Sequence, residues 1–425
     1  MRLPPCIFSI VLLYGCTGGG PAPDGGDAPY MRSAPSATTP ALLGAPSGSQ
    51  YETEPTIAVA PDGRVAVAWL DVTGSSAPLG VAFSPDRGDT WSTPTLLSVG
   101  AQRFASNEIL AADAQGNFHL VSLAVNDDQS AVAVLIATAP AGSSTFGAFV
   151  EVSDPAVPAL RDASAFTIAH DGSFNVVWTE YGSSLTSSSI VAARSTDGGA
   201  HWTRTAITSG VIASWPNVCA SRTGGHVAAV FIDAQNAATG MRWSDDDGAT
   251  WPDGNTNMVP LSLNEGEFPS CFAIDQDLWV MQGVSSMRPS RTYEPTLDDI
   301  QLTHSGDGGF TLDPTVSAQD PLAGGKYMRA MAVIEADRSI SLTYYAGARD
   351  DDPAGTVRRS LSTDGGKTFA PSQILYQPIT LTTSRAGTDW LGDLLGVADD
   401  AHGTFVAFVD NGDGKSHIRF TRLTP

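Results

Sequence analysis

The chain has 425 residues, with 23 Lys+Arg against 45 Asp+Glu, a formal charge of −22 at neutral pH. That balance excludes a nucleic-acid binder, which needs a basic surface to neutralise phosphate. Hydrophobic residues make up 42% and charged ones 16%, with 43 Gly and 28 Pro, so the chain can bury a large core and favours short strands and tight turns over long surface helices. In chain order the first element is a leader. Arg2 precedes an apolar stretch from Ile7 to Tyr14, too short to span a bilayer but suited to a signal peptide.

The leader ends in Leu13-Tyr14-Gly15-Cys16, which resembles the bacterial lipobox. The resemblance implies that residues 1–15 are removed and that Cys16 is lipidated. The protein would then be an exported lipoprotein, anchored to a membrane and facing the periplasm or the cell surface. An ordinary cleaved signal with an incidental Cys is the alternative. Residues 16–37 are rich in Gly, Pro, Ala and Ser without an apolar period and read as a flexible tether, leaving 38–425 for the folded domain. Cys6 falls in the leader, so Cys219 and Cys271 are the pair left in the folded part. An oxidising compartment permits a bridge between them; two buried thiols are the alternative.

An internal repeat organises the rest. The pattern Ser-x-Asp-x-Gly-x-Thr-Trp/Phe starts at Ser84, Ser195, Ser244, Ser305 and Ser362, at intervals of 111, 49, 61 and 57 residues. The first interval is double the others, and Ala139 to Phe146 fills the gap as a copy that has lost its Asp. These motifs resemble the Asp boxes of the sialidase (neuraminidase) superfamily of β-propellers. Their chemistry suits a tight turn: Asp accepts backbone N–H bonds, Gly takes a conformation other residues resist, and the aromatic ring packs between blades. The resemblance implies that each box joins the third and fourth strands of a blade, on the face away from the site.

Hairpins precede the boxes, the first being Thr56–Ala60, Pro61-Asp62-Gly63 and Arg64–Trp69, with others centred on Gly116, Gly172, Gly224, Asp277, Asp337 and Gly403. Seven hairpins against six boxes leave the last blade short of a fourth strand after His417–Thr421. Thr39-Pro40-Ala41-Leu42-Leu43 matches Thr93-Pro94-Thr95-Leu96-Leu97, the fourth strand of blade 1, at four of five positions. The expected fold is an all-β propeller of four-stranded antiparallel blades, seven in number, with an N-terminal strand completing the last. Six blades, as in the family's sialidases, is the alternative.

Propeller ligands bind at the channel mouth, among segments leading into innermost strands and loops after second strands. The last blade offers Thr388-Asp389-Trp390-Leu391-Gly392-Asp393, in which an aromatic able to stack on a sugar lies beside two acids. Asp389, Asp393 and Glu54 are therefore the candidate catalytic residues. Trp390 as a plug and Asp393 as a turn anchor is the alternative. Arg329, Arg103, Arg385, Trp390 and Tyr327 are the candidate substrate contacts, with Glu52, Glu108 and Arg161 at similar positions. A second set of acids follows the second strands, at Asp71, Glu180, Asp233 and Asp410. Each either joins a carboxylate ring or caps its own loop.

The resemblance further implies three arginines clamping a substrate carboxylate, a Tyr nucleophile paired with a Glu, and an Asp acid/base. The first arginine belongs to an Arg-Ile-Pro motif in blade 1, where this chain has Tyr51-Glu52-Thr53-Glu54-Pro55-Thr56. The nearest echo is Arg329-Ala330-Met331 in blade 6. No cofactor or metal is expected. None of the 7 histidines has metal-ligand spacing, and Ca²⁺ at Asp350-Asp351-Asp352 competes with a solvated acidic loop. The expectation is a monomer, touching the membrane only through its lipid, that acts on or recognises a glycan at the cell surface. The alternative is a non-catalytic propeller that binds glycan or surface protein.

Overall fold

A strand buried on one face alternates apolar and polar residues, whereas one buried on both faces reads as a continuous apolar run. Val65–Val72 is of the second kind, and every one of its residues is buried. Val65, Val67 and Trp69 pack to one side, in a cluster with Phe405, Phe408 and Phe420. Ala66, Ala68 and Leu70 pack to the other, with Phe118, Leu120 and Ala137. Each sheet thus fills the space between two others, which closes only as a ring. Every Val, Leu or Phe buried this way contributes roughly 1.5–3 kcal/mol.

The computed structural model describes residues 36–43, 49–73, 77–100, 103–126, 132–182, 187–208, 212–260, 264–265, 268–285, 297–320, 325–349, 352–381 and 387–424. Among the described residues there is no helix, and the strands form seven antiparallel sheets of four positions each. Blade 1 runs outward as Tyr51–Val59, Val65–Val72, Leu79–Ser84 and Thr95–Leu97. The innermost strands of blades 2 to 7 are Arg103–Ala112, Arg161–Ile168, Ala213–Ala220, Ser270–Ile274, Lys326–Ile334 and Gly396–Asp400. The fold is a seven-bladed propeller, not the six-bladed alternative.

The ring is closed by the N-terminal segment. Ala41–Leu42 pairs with His417–Thr424, with Ala41 opposite Phe420 and Leu42 opposite Arg419, and Ser36–Ala37 continues the pairing against Thr424 and Leu423. Thr38 N–H donates to the Arg422 carbonyl at 2.9 Å and Leu43 N–H to the Ile418 carbonyl at 3.0 Å. Leu43 enters the core beside Phe408 and Ile418. Pairing begins at Ser36, two residues ahead of the expected domain start. The terminal edge that a ring would otherwise expose is thereby covered.

Each repeated Ser-x-Asp motif links a third strand to a fourth. At the first, Ser84 Oγ donates to Asp86 Oδ1 at 2.9 Å, Gly88 N–H donates to Ser84 Oγ at 2.7 Å, and Asp86 accepts both the N–H and the hydroxyl of Thr90. The Trp91 ring meets Phe420 edge-on, with centroids 4.9 Å apart, tying blade 1 to blade 7. The turns share one end of the channel with the hairpins: Arg87 N–H donates to the Gly63 carbonyl and Gly308 N–H to that of Gln276. Cys219 and Cys271 are joined as a disulfide between the innermost strands of blades 4 and 5, with Cα atoms 5.7 Å apart.

Candidate functional site

At the opposite end the innermost strands share an irregularity. Those of blades 1, 2, 3, 4 and 6 each carry a bulge, after Thr53, Ser106, Asp162, Ser214 and Met328. The residue following each, namely Glu54, Asn107, Ala163, Trp215 and Arg329, has φ between +49° and +57°. Left-handed backbone costs a non-glycine residue roughly 1–2 kcal/mol, and strain of this kind collects at functional sites. The bulges place five side chains at equivalent positions around one mouth.

Two of these five meet the loop of blade 7. Arg329 Nη2 lies 2.9 Å from Asp393 Oδ1, and Arg329 Nε donates to the Gly392 carbonyl. Asp393 N–H donates to Glu54 Oε1 at 3.3 Å. Gly392 has φ +79°, and a Cβ there would fall 2.7 Å from both Glu54 N and Glu54 Cγ, so only glycine lets the loop approach this closely. Blades 1, 6 and 7 thus bring Glu54, Arg329 and Asp393 together. Blade 2 adds Glu108, fully buried and with neither carboxylate oxygen in a well-formed hydrogen bond among the described residues. Burial first, and then repulsion from Glu54, push its carboxyl well above the usual range, against the backbone amides of Glu108 itself and Leu70.

The other sequence candidates are dispersed. Asp389, half-buried, offers its carbonyl to Asn411 Nδ2 at 2.7 Å. Trp390 is buried against the blade 1–2 cluster, and its carbonyl accepts the Ser416 hydroxyl at 2.7 Å. Tyr327 is 2% exposed, packs edge-on to Tyr344 and donates its hydroxyl to the Asp320 carbonyl at 2.8 Å, so it belongs to the packing of blades 5 and 6. Arg161 is committed to Glu180 at 2.8 Å and to the carbonyls of Val132 and Val157. The Arg103 side chain and all of Arg385, Asp350 and Asp351 lie outside the described residues.

The second-strand acids are not a ring. Asp233 caps its own loop through the amides of Gln235 and Asn236, and Asp410 takes the Gly412 amide, Tyr376 and Arg419. Asp71 behaves differently. It faces Glu52 across the first hairpin and accepts the Ser49 hydroxyl at 2.6 Å, while its Oδ1 and Glu52 Oε1 are buried near the Trp69 indole N–H without a well-formed hydrogen bond among the described residues. Burial, aided by Asp71, lifts the Glu52 carboxyl to about 7, against the Ile418 amide, Lys415 and the Trp69 indole N–H. Among the described residues no three His, Cys, Asp or Glu side chains are grouped to hold a metal ion.

Trp215 was not singled out by sequence, yet it holds the blade 4 position equivalent to Glu54 and packs edge-to-face with Phe268. The signal was present: each of the five bulge residues lies nine positions before a left-handed hairpin residue, Gly63, Gly116, Gly172, Gly224 or Arg338. The far end of the channel is bridged. Arg222 of blade 4 reaches Asp399 of blade 7 at 2.6 Å and the Ile334 carbonyl of blade 6 at 3.1 Å. Two clefts of about 330 and 270 Å³ lie among the Ser-x-Asp turns at that end, distant from the carboxylates. Their lining, Trp91 and Phe83 in one and Trp202 and Trp251 in the other, is the inter-blade packing itself, so the mouth is the better candidate.

No protein-family model matches the chain, and no curated protein matches it. Solved structures are similar in fold. A Hadza microbial sialidase, Hz136, superposes with a TM-score of 0.53 at 15% identity over 70% of this chain, which spans 64% of that protein's length. A protein of unknown function from Dyadobacter fermentans gives 0.54 at 15% identity, over 91% of this chain and 97% of the other. An ulvan lyase of polysaccharide lyase family PL25, bound to a GlcA–Rha3S glycan, gives 0.55 at 11% identity, over 89% and 95%. The fold is that of sialidase-like propellers, and it serves more than one chemistry.

Proposed function

We propose that the protein is an exported lipoprotein that binds neutral glycans at the channel mouth and hydrolyses them with the carboxylates gathered there. The observation that carries this reading is the convergence of Glu54 and Arg329, both on left-handed backbone, with Asp393 from a third blade. A sialidase clamps its anionic substrate with arginines, but here Arg329 is already paired to Asp393 and to a backbone carbonyl. A chain of charge −22 also repels polyanions. Neutral sugar is the ligand class these two facts favour, and solved neighbours of this fold named for sialidase and polysaccharide lyase activity agree with a glycan setting.

The test is incubation of the protein with panels of neutral and sialylated oligosaccharides, followed by reducing-end detection. Release from neutral members, lost in Glu54→Gln and Asp393→Asn, supports the reading; release from none opposes it. A second reading has its own observation. Glu54 and Arg329 are 5% and 6% exposed, which suits a scaffold under a non-catalytic surface for glycan or protein. Binding without turnover would select it. Anchoring at Cys16 is read from Leu13–Cys16 alone. It predicts a lipid-modified mature N-terminus by mass spectrometry and release of Cys16→Ala into the soluble fraction, as a monomer.

A further inference from the structure

The mouth has two unlike walls. The innermost strands touch in chain order around the ring and close from blade 7 to blade 1, which sets blade 4 opposite blades 7 and 1. On one wall Glu54 of blade 1 meets Asp393 of the blade 7 loop. On the other stands Trp215, at the bulge position that Glu54 holds in its own blade. Phe268, two residues ahead of the innermost strand of blade 5, packs edge-to-face against it. Both rings are half-buried. Every other tryptophan of the chain packs into a hydrophobic cluster of the described residues; Trp215 and Phe268 enter none.

The fold does not call for an indole there. The bulge requires left-handed backbone, which a bulky residue occupies at greater cost than a small one. At the equivalent place in blade 3 Ala163 adopts it, with φ +49° against +53° for Trp215. Trp215 is nonetheless held firmly, its backbone N–H donating at 2.9 Å to Oγ1 of the wholly buried Thr179. Its Nε1 is buried without a well-formed hydrogen bond among the described residues, so what the indole shows to solvent is carbon.

We propose that Trp215 and Phe268 form an aromatic platform on which a neutral pyranose ring stacks, across the mouth from Glu54 and Asp393. On the glycan reading, on which this role rests, the platform supplies the affinity that an ion pair gives a charged ligand. Sites for uncharged ligands depend on aromatic and apolar contact plus a few placed polar groups. A pyranose answers both from opposite sides: the C–H bonds of one face cover an aromatic ring, and hydroxyls at its edge turn to the carboxylates. In an edge-to-face pair the ring that gives its edge keeps both of its faces clear of its partner, so the pair can seat a sugar without coming apart. Trp390, the aromatic expected from sequence, is packed into the blade 1–2 cluster instead.

The experiment is calorimetric titration of the full-length protein with neutral hexasaccharides built from glucose, galactose or mannose pyranoses. Trp215→Ala should raise Kd about 10-fold or more, with Phe268→Ala acting in the same direction and Trp215→Phe staying close to the unmutated protein. Ala163 shows that alanine fits the backbone there, and a circular-dichroism melt checks that each variant is folded. If Trp215→Ala fails to fold, saturation-transfer NMR on the unmutated protein decides: irradiating aromatic protons should saturate the C–H protons of one sugar face, and saturation spread evenly over the sugar overturns the platform. A Kd unchanged in Trp215→Ala overturns it too. The two readings fail separately. Binding that depends on Trp215 without turnover leaves the platform standing and removes hydrolysis, whereas turnover indifferent to Trp215→Ala does the reverse; no binding of any member overturns both.

Discussion

Glu52→Gln tests how a buried acid at the closure of the ring is carried. Glu52 is wholly buried at the junction of blades 7 and 1, where its N–H donates to the Ser416 carbonyl at 3.0 Å and its Oε2 accepts the Ile418 amide at 3.4 Å. Its carboxyl titrates at about 7 when folded, against an ordinary value of 4.5. Between those limits the folded protein binds more protons than the unfolded chain, so stability falls as pH rises through that window. At ~1.4 kcal/mol per pH unit, the span from 4.5 to about 7 amounts to about 3.5 kcal/mol as a ceiling. The amide imitates the protonated acid and removes this dependence. Urea unfolding of both proteins at pH 5, 6, 7 and 8 should show near-equal stability at pH 5, with the variant gaining up to about 3.5 kcal/mol by pH 8 at unchanged m. A difference independent of pH, or one that shrinks toward pH 8, would refute the reasoning.

Deleting residues 36–43 should abolish cooperative thermal unfolding or lower Tm by about 10 °C or more, since it strips the edge of blade 7 and takes Leu43 from the core; a circular-dichroism melt checks this, and an unchanged melt would mean the ring does not depend on that strand. Asp246→Ala removes the acceptor of the Thr250 amide and hydroxyl and of the Ser244 hydroxyl, and should cost about 1–3 kcal/mol in denaturant unfolding while leaving ligand binding at the far mouth intact. Cys219→Ser with Cys271→Ser opens a link across 52 residues, worth about 4 kcal/mol by loop-closure entropy; reduction of the native protein should reproduce the loss.

Local chemistry was legible in the sequence. The Ser-x-Asp-x-Gly motif specifies its turn through bonds within eight residues, and its copies mark six of the seven blades, the hairpins supplying the seventh. The closing strand was legible too, because Thr39–Leu43 carries the residues of an outermost strand without preceding strands of its own. The site was legible only in part. Glu54, Arg329 and Asp393 were named and do meet, but Tyr327 and Arg161 share their neighbourhood in sequence and turn into blade interfaces. A one-residue change of parity on a strand reverses the side chain, and the bulges that set parity here leave no Gly or other marker at their left-handed positions. Trp215 was missed for that reason, although its spacing from Gly224 repeats that of Glu54 from Gly63. Glu108 was named only as a mouth residue. Its burial without a well-formed hydrogen bond arises from the docking of two blades, which sequence spacing does not express.

A crystal structure with a neutral oligosaccharide bound tests the central claim most directly. The account places a sugar oxygen within roughly 3.2 Å of the Glu54 or Asp393 carboxylate, with the loop at 390–393 displaced or reshaped around the ring. A ligand seated in the clefts among the Ser-x-Asp turns, with the mouth unchanged, would contradict it.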